Sequence, residues 1–176
     1  FVTVEDGRIS SNAEENSLST SIPEPNKFSV KNGNSSYNIV LTGIGGTGVV
    51  TIGTLLAAAA KEEKKYVGIM EMAGLAQKGG EVHVHCKISD KKSKISAIRV
   101  PEGQADAIIG GDLLVTASEK ALNLLSKDRT KVVCNTNELL TGEFTRDPSL
   151  KLNTELMSVS IEARAQKESV WFLDST

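Results

Sequence analysis

The sequence predicts an α/β fold, a three-layer α/β/α sandwich built on a mixed sheet, and three observations carry that reading. Short apolar runs of strand length alternate with longer stretches of helical period from residue 37 onward. A glycine-rich turn, "GIGGTG" at residues 43–48, joins the first strand to the first helix in the Rossmann-like manner. Two period-2 runs, "VHVHCKIS" and "ISAIRV", flank the charged turn "DKKSK", which predicts an antiparallel hairpin in an otherwise parallel sheet.

Residues 5–36 are rich in Ser, Asn, Glu, Gly and Pro and hold neither period, so residues 1–36 read as a linker and the folded domain as residues 37–176. "YNIVLTG" then predicts a buried strand, residues 47–64 a helix, and "KYVGIMEM" a second strand; together they form a βαβ unit with parallel pairing. "DLLVTAS" and "KVVCNTN" read as further strands. Between them "SEKALNLLSK" is helical, with Ser118 as N-cap and Leu122 and Leu125 facing inward. "VWFLDST" is a last strand with no closing helix after it, and the chain starts with Phe, so the sequence reads as a piece of something longer, truncated at its C-terminus.

At 176 residues there is room for one sizeable core. A net charge of −2 provides no field for nucleic acid, and the longest apolar stretch, residues 49–60, is too short for a membrane span of about 20 residues. The N-terminus lacks the pattern of a signal peptide, so the expected location is the cytoplasm. Two distant cysteines, Cys86 and Cys134, supply neither a disulfide framework nor a cysteine-built metal site.

Gly43, Gly45 and Gly48 satisfy G-x-G-x-x-G in the strand-to-helix context that the motif requires. The expected roles are a tight turn at Gly43, close ligand approach at Gly45 and close helix packing at Gly48. With Gly46 and Thr47 they are the first candidate binding group, since the amides at a helix N-terminus favour an anion. No lysine follows as in a P-loop. For a dinucleotide, Glu71 would have to meet the ribose; a stand-alone NAD- or FAD-binding module is therefore the alternative reading.

The loop after the second strand supplies Gln77, Lys78, Gly79 and Gly80, and Asn135 ends a later strand. Both places lie where open α/β sheets put ligand-binding groups, beyond the carboxyl ends of strands. His83, His85 and Lys87 share one strand face and Cys86 the other, so they cannot converge on one ion, and the expected arrangement is a half-buried strand with its polar face outward. The two histidines could still meet a partner domain or substrate. No nucleophile with a base and an orienting group can be assembled, so no catalytic residue and no metal ligand is expected.

Taken in order, "NIVLTGIGGTGVVTIGTLLAAAA", "MAGLAQKGGEVHVH", "IRVPEGQADAIIGGDLLVTAS", "VVCNTNELLTGEFTRDP" and "FLDST" resemble the gamma-type domain of 2-oxoacid:ferredoxin oxidoreductases. The likeness is greatest to the long, fused bacterial indolepyruvate ferredoxin oxidoreductases and covers residues 37–176. "FVTV" at residues 1–4 resembles the stretch just past their ferredoxin-like segment. The resemblance implies an accessory domain, inactive alone, of a cytoplasmic enzyme that decarboxylates indolepyruvate or a related aryl 2-oxo acid and passes electrons to ferredoxin. It further implies that thiamine diphosphate, Mg²⁺ and 4Fe–4S clusters belong to partner domains, that coenzyme A is a ligand of the full enzyme, and that the full protein is a homo-oligomer. Whether coenzyme A touches this domain stays open at this point. Related domains carry arginine where Lys78 stands, so the charge is kept and the planar fork lost.

Overall fold

The computed structural model describes residues 36–73, 80–136 and 153–175. The chain runs β1 (Tyr37–Ile44), α1 (Val49–Glu62), β2 (Tyr66–Ala73), β3 (Glu81–Ser89), β4 (Ala107–Gly110), α2 (Leu113–Thr116), α3 (Glu119–Leu122), β5 (Lys131–Asn135), α4 (Thr154–Arg164) and β6 (Val170–Leu173). The strands form one mixed sheet in the order β2-β3-β1-β4-β5-β6. Strands β1, β4, β5 and β6 are parallel, and β3 is antiparallel to both β1 and β2. The α/β class and the mixed sheet with an antiparallel pair are as the sequence predicts.

Strand β1 lies at the centre, buried from Asn38 to Ile44, which explains its unbroken apolar run. Alternate side chains feed two cores. Ile39 and Leu41 pack with Val49, Val84 and Cys86 beneath α1. Val40 packs on the other face with Ile108, Leu113, Leu122, Val132 and Ile161, beneath α2, α3 and α4. At the opening of the parallel ladder, Asp106 accepts the Asn38 N–H through Oδ2 at 2.8 Å while Arg129 Nε donates to its Oδ1 at 3.0 Å. That carboxylate ties β1, β4 and β5 at their shared amino-terminal edge.

Four expectations are corrected. Strand β2 runs in the same direction as β1 but does not pair with it, because β3 lies between them. The antiparallel hairpin is β2–β3, not the pair around "DKKSK": both edges of β3 are already occupied, so residues 95–100 form no strand. "DLLVTAS" is helical. Asp112 caps α2 by accepting the Val115 N–H at 2.8 Å, and Thr116 Oγ1 donates back to the Asp112 carbonyl at 2.6 Å. A short apolar run does not separate strand from helix by period alone; here the cap decides. Finally, His83, His85 and Lys87 do not face outward: all three are buried, on the face that also carries Val40 and Thr42. Ser118 does cap α3 and Leu122 and Leu125 are buried, as expected.

Candidate functional site

The turn after β1 rises out of the sheet and is exposed at Gly45, Gly46 and Gly48. Gly46 and Gly48 hold φ of +101° and +80°, values that side chains other than glycine rarely adopt. Gly48 is the N-cap of α1, with no side-chain cap and no acidic residue in the first turn. The leading amides of the helix therefore keep their capacity to meet an acceptor from outside. The division of labour differs from expectation. A methyl on Gly43 would lie 2.4 Å from Val49 Cγ2, whereas one on Gly48 would meet nothing within 4 Å. Gly43 thus serves packing and Gly48 serves conformation. Close approach of α1 to the sheet falls to Gly53, whose added methyl would lie 2.9 Å from Val84 Cγ1.

Two of the predicted loops meet. The Gly45 N–H donates to the Gly80 carbonyl at 2.9 Å, so the end of the second loop holds the glycine turn directly. Thr47 stays within the turn, its Oγ1 donating to the Ile44 carbonyl at 2.7 Å. Asn135 ends β5, where its Nδ2 donates to the Gly111 carbonyl at 3.2 Å and its Oδ1 accepts the Ser175 N–H at 3.3 Å. Gly111 in turn donates its N–H to the Thr42 carbonyl at 2.7 Å. Asn135 therefore braces the edge on which the turn stands. Gln77, Lys78 and Gly79 lie outside the described residues.

The sequence reading missed Asp112. Its side chain is fully buried beneath the turn, and its Oδ2 lies 3.6 Å from where a Gly43 methyl would be. Oδ2 has no hydrogen-bond partner among the described residues. Burial pushes its pKa up, while the amides of Val115, Ile44 and Leu114 pull it back down. The same residue caps α2, and Thr116, which bonds to its carbonyl, also shares a 2.8 Å hydrogen bond with Thr42 of β1. The signal was present as an Asp after two glycines and before an apolar run, an N-cap pattern.

Glu71 is placed away from the turn. It pairs with Val84 on the far side of β3, two strand spacings from β1, or about 10 Å. In a dinucleotide-binding fold that position belongs to a strand paired with the first one, so the sheet order does not support the NAD or FAD alternative. The cysteines offer no reactive thiol. Cys86 packs under α1 and Cys134 under α2–α4, on opposite faces of the sheet, and burial pushes both pKa values up, that of Cys134 to about 11. Two thiols so placed do not fit a four-cysteine cluster. Among the described residues, no three His, Cys, Asp or Glu side chains group as a metal site. No described helix is long and apolar enough to cross a membrane.

Residues 38–175 match the family described as pyruvate ferredoxin/flavodoxin oxidoreductase. Among curated proteins, indolepyruvate oxidoreductase subunit IorB of Archaeoglobus fulgidus is 34% identical over 108 residues, covering 61% of this chain and 50% of that protein. Its namesake from Methanothermobacter thermautotrophicus is 27% identical over 130 residues, covering 74% of this chain and 63% of that protein. The chain thus spans about half to two thirds of the length of these relatives. Among solved structures, pyruvate oxidoreductase subunit PORC of Thermotoga maritima superposes with a TM-score of 0.50 at 19% identity, covering 81% of this chain and 64% of that one. A 2-oxoglutarate:ferredoxin oxidoreductase from Magnetococcus marinus, solved with 2-oxoglutarate, coenzyme A and succinyl-CoA, also gives a TM-score of 0.50, at 14% identity over 80% of this chain and 20% of that one. At such identities the two structures speak for the fold.

Proposed function

The chain belongs to the pyruvate ferredoxin/flavodoxin oxidoreductase family, and from that premise we propose that it is the gamma-type part of a 2-oxoacid:ferredoxin oxidoreductase. The observation that carries this reading is the family match, which runs from the start of β1 to the end of β6. The substrate class is indolepyruvate or a related aryl 2-oxo acid, a reading supported by the names of the curated relatives. The electron acceptor is ferredoxin. Thiamine diphosphate, Mg²⁺ and iron–sulfur clusters are held by partner domains, in keeping with two buried cysteines on opposite faces of the sheet. The chain by itself is inactive, and its work is in the assembled enzyme, a homo-oligomer in the cytoplasm.

Within that assembly, the turn Gly43–Gly48 and the loop Gln77–Gly80 border the shared active site and dock coenzyme A or the partner domain. The bond from Gly45 to Gly80 supports a joint role, because a ligand that moves one loop moves the other. Buried Asp112 argues for a neutral or backbone-mediated contact at the turn itself: an ionised carboxylate beneath it would repel an anion. The positive charge then comes from Lys78. The test is made in the complete enzyme, with Lys78→Ala and Gly45→Val compared for ferredoxin reduction driven by indolepyruvate, for acyl transfer, and for retention of the partner domains. We expect acyl transfer or assembly to fall at least tenfold in one variant; unchanged kinetics and unchanged assembly in both would refute the role of these loops. The fused arrangement is tested apart from this, since antibody to the chain should detect a band several times its own size in extract of the source cells, and a band at its own size would show a separate subunit.

A further inference from the structure

A cavity of about 460 Å³ opens over β3 on the face away from α1; His83 and His85 line it, with Val100 and Leu124 as apolar walls and Arg99 and Lys120 at its rim. His85 is 1% exposed, and its tautomer is set by geometry: Nδ1 accepts the Val100 N–H at 3.0 Å, so the ring proton of the neutral imidazole sits on Nε2. That Nε2 is buried and has no hydrogen-bond partner among the described residues, and the same holds for His83 Nε2. Glu81 Oε2 stands 3.7 Å from His83 Nε2 and is engaged by Lys120 at 2.9 Å. Buried polar atoms are rarely left without a partner, and the His85 Nε2–H, a donor with no acceptor among the described residues, marks a place where something supplies an oxygen atom.

The chemistry narrows what that can be. A nitrogen that carries a proton has no lone pair to give, so His85 does not ligate a metal here. Arg99 makes no hydrogen bond or ion pair among the described residues, and Lys120 is exposed beside it on the rim. We infer that this cavity is a binding site for a small organic oxyanion, a carboxylate or phosphate head whose oxygen accepts the His85 Nε2–H and whose charge faces Arg99 and Lys120. Val100, Leu124 and Met72 receive the apolar body of the ligand. Glu102 shares the rim, so the part of the ligand that meets it is neutral or a donor. Burial, aided by His83, Arg99 and Lys87, holds the His85 pKa down at about 4, which keeps the ring a neutral donor near pH 7. The inference stands on this cavity alone and survives if the oxidoreductase reading fails.

The test is nitrogen-15 NMR of the histidine rings in the full chain, titrated with inorganic phosphate and separately with benzoate. We expect a saturable shift at His85 Nε2–H with at least one probe, and a dissociation constant raised about tenfold in Arg99→Ala, the loss of one charge-assisted contact. Saturation by phosphate alone assigns a phosphate head, and saturation by benzoate alone a carboxylate on an apolar body. Absence of saturation with both probes overturns the proposal. So does binding that Arg99→Ala and Lys120→Ala leave unchanged, or a spectrum that places the His85 proton on Nδ1. Arg99 is exposed and lies outside the core, so its variant reports on binding rather than folding.

Discussion

The glycine turn and the histidine cavity lie at opposite ends of the range by which a protein can offer a donor. At the turn the donors are backbone amides, exposed and held by glycine conformations that other residues rarely adopt. At the cavity the donor is the His85 imidazole, buried and oriented by a single backbone bond from Val100. The turn gains specificity from shape, and its own donors carry no titratable proton. The cavity depends on a titratable ring that the fold must keep neutral. A surface loop and a central strand thus reach similar chemistry at different cost: one in the chain entropy that glycine loses on folding, the other in desolvation.

Substitutions can break that comparison, beginning with the largest effect. Gly43→Ala places a methyl against Val49 in a buried helix start and should cost about 2–3 kcal/mol, read as a lowered urea midpoint with an unchanged slope. An unchanged midpoint would show that α1 yields freely and that Gly43 is not a packing residue. His85 governs the acid side. Its folded pKa of about 4 is below its ordinary 6.5, so the unfolded chain takes up the proton first as pH falls. The parent should therefore lose stability from about pH 6.5 down to about 4, and His85→Gln should flatten that part of the curve. Equal slopes in the two proteins would mean that the ring is not desolvated in the folded state.

Asp112→Asn has a smaller effect of the opposite sense. The folded pKa of Asp112 is raised, so its buried charge weakens the fold at neutral pH and the penalty fades as pH falls through that value. Asn keeps an oxygen that can cap α2. The variant should match or exceed the parent by about 1 kcal/mol at pH 7, with the gain shrinking toward pH 4, as chemical denaturation at both pH values would reveal. A loss at pH 7 would identify the charge as an anchor of the turn. The smallest effect is expected at Gly45, where an added methyl would lie 3.6 Å from the Gly80 carbonyl in ordinary contact. Gly45→Ala should change stability by less than about 0.5 kcal/mol, and a larger loss would give Gly45 a structural role equal to that of Gly43.

How much of this was legible varies with the length and regularity of each element. β1 and α1 could be read because eight residues of continuous strand pattern run through a glycine turn into fourteen of helix. β5 and β6 followed from compact apolar runs, and α3 from its Ser118 cap. α2 was misread because four residues, three of them apolar, are too few to display a period. α4 was not foreseen: Ile161 is buried on it while Leu156 and Val159 are exposed, which blurs its apolar stripe. In the candidate site the glycines announced themselves, whereas Asp112 did not, since a lone acid after two glycines is common in turns.

Local chemistry in the chain determined the strand–turn–helix start, because glycine dihedrals and apolar period act over a few residues and need no partner. It also determined that no two-histidine, one-cysteine ion site forms on β3, because alternate residues of a strand point to opposite faces. Only the tertiary structure decided that β3 inserts between β1 and β2, which moved Glu71 away from the turn and placed both faces of the histidine strand in contact with protein. The reason is that a strand's neighbours are chosen by pairing across many residues of separation, and the burial of His83 and His85 follows from the distant segments around Val100 and Leu124 that lie against that face, not from the alternating pattern in which they are written.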